Sequence, residues 1–137
     1  MSPSATGPTE FAPSGFAEEI GVEWIDFDPE GAHARILVEP RHLQPNGVVH
    51  GGVYASLAES LASAATYHAV KENGEVAFGM ANNTSFLRAI TEGHVNATAR
   101  ARQQGRTTWV WDVELSDDEG NVCALARMTV AIRPRRD

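Results

Sequence analysis

Glu59 is the only charged side chain between Val53 and Val70. Burying a carboxylate without a partner is costly. Such a residue faces water along a thin exposed stripe, caps a neighbouring loop, or is kept for chemistry. Just upstream stands His50-Gly51-Gly52. Free N–H groups at a helix N-terminus, together with the positive end of the helix dipole, stabilise an anion. Glycine lets a substrate approach the backbone. The pair of features therefore suits attack on a carbonyl, with an oxyanion held at the helix start. Taken alone, His-Gly-Gly reads as an ordinary turn into a helix.

The spacing sets a geometric condition. Glu59 lies eight residues beyond Gly51, which is ~12 Å along a helix axis. One carbonyl carbon must lie ~3 Å from both the attacking group and the oxyanion donors. Two chains meet that condition if Gly51 of one faces Glu59 of the other, which predicts a symmetric dimer with two interfacial sites. Ser63, one turn after Glu59 on the same face, would hold a water or the carboxylate, or would simply pack. Gln44, in the loop before the helix, would donate to a carbonyl or position water, or stand as an exposed loop amide.

The elements that must position these residues follow from periodicity. A long helix is expected from Gly51 or Gly52 to about Glu72, stopped by Asn73-Gly74. Six alanines between Val53 and Val70 make it apolar nearly all round, the mark of a buried helix. Phe16–Ile25 is ambiguous between a short helix and a strand. Residues 26–31 read as a turn and Ala34–Val38 as a strand. Pro40–Gly47 reads as a loop, with Asn46-Gly47 as a turn. Val76–Ile90 is a long, bent strand. Alternation through Val95–Ala101, Trp109–Leu115 and Val122–Ile132 gives an antiparallel meander. The order strand, helix, four strands makes an α+β domain with the sheet wrapped around the helix.

The chain has 137 residues, enough for one core. Residues 1–15, rich in Pro, Ser, Thr and Gly, read as a flexible arm, and 16–137 as one domain. No apolar run is long enough to span a membrane, and the start lacks the pattern of a secretion signal. The single cysteine, Cys123, suits a cytoplasmic location. A net charge of −7 argues against nucleic-acid binding. The charge is uneven, with three basic residues against eleven acids in 1–87, but eight arginines against seven acids in 88–137. That gathering suits a discrete phosphorylated ligand or, equally, a solvated sheet face.

The stretch Val49-His50-Gly51-Gly52-Val53-Tyr54-Ala55-Ser56-Leu57-Ala58-Glu59 resembles the helix motif of hotdog-fold acyl-CoA thioesterases. The branch it most resembles is the 4-hydroxybenzoyl-CoA thioesterase with its catalytic carboxylate on the central helix. It is also similar to the phenylacetate-pathway thioesterases. The likeness extends through Asn83–Arg88, Thr107–Val113 and Ala131–Asp137, and covers roughly residues 30–137. It implies a hotdog fold and hydrolysis of an acyl-CoA, aromatic by the motif, with phenylacetyl or broader acyl groups as alternatives. It implies that Glu59 acts as nucleophile or general base and that the Gly51 N–H polarises the carbonyl. His50 would shape that turn, Gln44 assist at the carbonyl or at hydrolysis, and Ser63 stand where relatives carry a small hydroxyl residue. Arg88, Thr107, Arg135 and Arg136 match positions near the CoA phosphates and pantetheine, while Arg106 departs from a smaller residue in relatives. The implied assembly is a dimer of dimers, with no cofactor.

Other chemistries fit less well. No G-x-S-x-G elbow occurs, and Ser56 and Ser60 lie inside the helix. His33, His42, His50, His68 and His94 lack metal-ligand spacing. The Gly-Gly pair is not a dinucleotide fingerprint. A hydratase would need an acid–base partner for Glu59, which the sequence does not offer. A non-catalytic acyl-CoA-binding protein is the alternative from another class, and it would have no use for the lone carboxylate.

Overall fold

Period-two alternation produces most of the structure, because side chains on a strand alternate between faces. The computed structural model describes residues 12–28 and 30–136. Most of the expected arm, residues 1–11, lies outside the described residues. The ambiguous segment holds both elements: helix α1 (Gly15–Glu19) and strand β1 (Val22–Phe27). The turn expected over 26–31 is shorter, since Phe27 is core (1% exposed) and keeps β1 in the sheet. Strand β2 (Gly31–Leu37) begins earlier than expected and ends before Val38, burying Ala32, Ala34 and Ile36 on one face.

Helix α2 (Gly51–Val70) follows, then a 3-10 turn (Lys71–Asn73) closed by Gly74 in the left-handed conformation at φ 74°. Strand β3 (Glu75–Phe86) stops short of the expected Ile90. Its expected bend is a bulge at Met80, between Gly79 and Ala81. Strands β4 (His94–Gln104), β5 (Thr108–Ser116) and β6 (Val122–Pro134) form the meander. All six strands join one antiparallel sheet in the order β1-β2-β4-β5-β6-β3. The strand after the helix therefore crosses to the far edge, beside β6.

Helix α2 packs against the sheet through Tyr54, Leu57, Ala58, Leu61, Ala62, Ala65, Thr66 and Val70. Opposing them are Val95, Ala97 and Ala99 of β4, Trp111, Val113 and Leu115 of β5, and Ala124, Met128 and Val130 of β6. Trp111 Nε1 donates to Thr66 Oγ1 (2.8 Å), which donates to the Ala62 carbonyl (2.7 Å). Every polar atom in that buried chain is thus satisfied, as burial requires. The helix is not buried all round. Its β3 side leaves Glu59 exposed, which corrects the expectation of a helix buried nearly all round and agrees with the alternative of an exposed stripe.

Candidate active site

The loop before α2 is built to hold its first turn. His42 is buried (3% exposed). Its Nε2 donates to the Ile20 carbonyl (2.8 Å) and its Nδ1 accepts from the Glu39 N–H (2.9 Å). A backbone amide can only donate and a carbonyl only accept, so the ring is the neutral Nε2–H tautomer. The His42 carbonyl accepts from the His50 N–H (2.9 Å). Between them Gln44 N–H donates to the Val48 carbonyl (2.8 Å) across the Asn46-Gly47 turn, where Gly47 has φ +86°. A 3-10 turn (Pro40–His42) lies within the expected loop.

His50 is the N-cap of α2, and its Nδ1 accepts from the Gly52 N–H at 2.8 Å. That bond decides which amide is left over. No described residue accepts from the Gly51 N–H. A Cβ at Gly51 would lie 2.9 Å from Phe86 Cζ, so glycine is needed for the ring to close against the helix start. The Gly51 amide borders a cleft of about 580 Å³ lined by Gln44, His50, Tyr54, Phe86, Leu87 and Arg88. Tyr54 and Phe86 pack with centroids 6.1 Å apart. Burial raises the Tyr54 phenol above its usual pKa, so it stays neutral, and it donates to the Arg88 carbonyl at 3.4 Å.

Glu59 is absent from that cleft. It stands two turns up the helix, ~12 Å from Gly51 by helix rise, against strand β3. Its Oε1 accepts from Asn82 Nδ2 (3.3 Å), and a Cβ at Gly79 would lie 3.1 Å from its Oε2. Ser63 is half-buried one turn further. The remaining residues divide. Arg88 borders the Gly51 cleft. Thr107, Arg135 and Arg136 are exposed at the other end of the sheet, where the Thr107 carbonyl accepts from the Ile132 N–H. There Arg135 donates to Tyr67 Oη at 2.6 Å, with its guanidinium 5.9 Å from the ring centre.

Part of the arginine gathering is a solvated face. Asp112 on β5 pairs with Arg102 of β4 and Arg127 of β6, each at 3.2 Å. Sequence reasoning missed Asn82, Thr84 and Gly79. The available signal was the polar run Asn82-Asn83-Thr84-Ser85 within a strand otherwise apolar from Val76 to Leu87.

Residues 46–124 match the sequence pattern of the thioesterase superfamily. The crystal structure of a mutant of thioesterase PA1618 from Pseudomonas aeruginosa superposes with a TM-score of 0.82 at 40% identity, over 86% of this chain and 85% of that one. The crystal structure of thioesterase HI1161 from Haemophilus influenzae gives a TM-score of 0.86 at 29% identity, over 93% and 89%. A 1,4-dihydroxy-2-naphthoyl-CoA hydrolase of Listeria monocytogenes is 33% identical over 122 residues, 89% of this chain and 98% of that protein.

Proposed function

The chain belongs to the thioesterase superfamily and has the hotdog fold, and on that premise we propose that it hydrolyses an aromatic acyl-CoA at a site shared by two subunits. The carrying observation is the Gly51 N–H, left without an acceptor among the described residues once His50 takes that of Gly52. It supports an oxyanion site at the helix start, to which the dipole of α2 adds. In this reading Gln44 donates to the same carbonyl or to water.

The partner's Glu59 supplies the carboxylate. It attacks the carbonyl carbon, forming a mixed anhydride and expelling the CoA thiolate, after which water cleaves the anhydride. Alternatively it takes a proton from a water that attacks directly, with Ser63 orienting that water. Both routes return the carboxylate and release free acid and CoA.

The arrangement of α2 and β3 supports one twofold for the whole site. Glu59 lies over Gly79, and Gly51 lies over Phe86, so helix and strand run antiparallel. A twofold that sets Gly51 against the partner's Glu59 also sets Phe86 against the partner's Gly79. The two exposed β3 edges then pair. Because Glu75 pairs with Pro134, the same operation brings the end of the sheet that carries Arg135 and Arg136 towards the partner's Arg88, with Thr107 two strands further in. In this arrangement the residues proposed for CoA are supplied by both subunits, and the arginines among them suit its phosphates. Two such dimers form the tetramer.

Tyr54, Phe86 and Leu87 give the cleft an apolar, aromatic wall that suits an aryl group. The hydrolase from Listeria, named for a naphthoyl-CoA, favours a ring larger than 4-hydroxybenzoyl as the second reading. A kcat/KM panel over 4-hydroxybenzoyl-, phenylacetyl-, 1,4-dihydroxy-2-naphthoyl- and medium-chain acyl-CoA ranks them. Among the described residues no helix is long and apolar enough to cross a membrane, and the buried free thiol of Cys123 suits the reducing cytoplasm we assign.

Mixed subunits test the reading. Glu59→Gln should lose kcat by at least ~100-fold. Gly51→Val, which displaces Phe86, should be comparably inactive. An equal mixture, dissociated and reassembled, should regain about a quarter of wild-type activity, since half the dimers then hold one intact site. Near-normal turnover by Glu59→Gln overturns the catalytic assignment. Absence of recovery in mixtures shown to exchange subunits overturns the shared site.

A further inference from the structure

We infer that Asn82, itself held by Thr84, is the positioning residue that orients the Glu59 carboxylate. The inference rests on the reading of Glu59 as the catalytic carboxylate. Glu59 is exposed in the subunit, and an exposed glutamate has three rotatable side-chain bonds. Something must hold it if it is to meet a carbonyl carbon to within a fraction of an ångström.

Asn82 meets that need from the neighbouring strand. Its Nδ2 donates twice, to the Ala55 carbonyl at 3.0 Å and to Glu59 Oε1 at 3.3 Å. Ala55 and Glu59 are one turn apart on the same helix face, so one amide spans both. A carbonyl can only accept, so the Ala55 contact assigns nitrogen, and not oxygen, to the side of Glu59. The other end of the amide is also engaged: Asn82 Oδ1 accepts from Thr84 Oγ1 at 2.7 Å. Thr84 is two residues along the strand and therefore on the same face.

The bond to Glu59 is long for a charge-assisted contact. It aims the carboxylate more than it neutralises it. Oε2 accepts no hydrogen bond from any described residue, so its lone pairs are left for the carbonyl carbon or for a water proton. Gly79 completes the arrangement, since a Cβ there would sit 3.1 Å from Oε2. One oxygen is thus tethered, and the other has room only because a side chain is missing.

Steady-state thiol release on the intact protein tests the inference. Asn82→Ala should lower kcat by roughly 10- to 100-fold, the scale of a misplaced reacting group, with KM within about twofold and with Tm and assembly mass unchanged. Thr84→Val should lower kcat several-fold, and Thr84→Ser, which keeps the hydroxyl, should recover most of it. In a Glu59→Asp background the shorter carboxylate no longer reaches Asn82, so adding Asn82→Ala should cost less than about twofold. A wild-type kcat for Asn82→Ala, or the same loss in both backgrounds, overturns the inference. If Asn82→Ala dissociates or loses Tm, the Thr84 pair decides, and equal rates for Thr84→Val and Thr84→Ser overturn it. The two readings fail separately. An active Glu59→Gln removes Glu59 from catalysis, whereas an inactive Glu59→Gln beside a fully active Asn82→Ala sinks only the role of Asn82.

Discussion

The two edges of the sheet are built differently. Strand β1 has six residues and carries a bulge between Trp24 and Asp26. Its charged residues are paired across to β2: Arg35 with Glu23 at 2.9 Å, and His33 with Asp26 at 2.8 Å. Shortness, a bulge and charge are the devices that keep an edge from pairing with another chain. Strand β3 has twelve residues, and no charged side chain from Val76 to Leu87. Phe78 and Met80 are each 56% exposed along it. An edge of that length and composition is an association surface unless something covers it. The two proposed site residues lie along this edge, Glu59 over Gly79 and Gly51 over Phe86. Under the proposed shared site, the contrast ties the oligomer to the chemistry: the unguarded edge is the one that would bring two half-sites together.

The comparison breaks most visibly if β3 is guarded artificially. Phe78→Lys with Met80→Lys places unpaired charges in the proposed β3 interface, on either side of the twofold. It should yield monomers by light scattering and lower kcat/KM by at least ~100-fold, because each monomer keeps only half of the acid–base and oxyanion machinery. A fully active monomer would end the shared-site reading. The converse change removes the guard from β1. Glu23→Val with Asp26→Val should produce concentration-dependent association beyond the native assembly, with kcat within about twofold of wild type. Smallest of all, Glu23→Lys sets like charges across the Glu23–Arg35 register pair. A few degrees of Tm at most should be lost, since exposed pairs contribute little. The assembly should not change.

Much of the site's logic could be read from residue order. The helix start at His50-Gly51-Gly52, the single carboxylate in an apolar helix and the meander of β4, β5 and β6 are local features. Periodicity and capping report them directly, because a helix repeats every 3.6 residues and a strand every two. The ~12 Å separation of Gly51 and Glu59 also follows from helix rise alone. The sequence by itself therefore singled out the candidate groups and, through their spacing, implied that one chain does not bring them to a single carbonyl.

What only the tertiary structure decided is the surroundings of those groups. The chain crosses from α2 to the far edge and pairs β3 with β6, not with its successor β4. No local pattern encodes that crossing, because it depends on contacts between residues far apart in sequence. It exposes β3, places Asn82 and Gly79 against Glu59, and sends Thr107 and Arg135 to the opposite end from Arg88. It also leaves Glu59 in the open within one subunit. An isolated carboxylate can be recognised from its neighbours in the chain, but the groups that aim it come from non-local strand pairing.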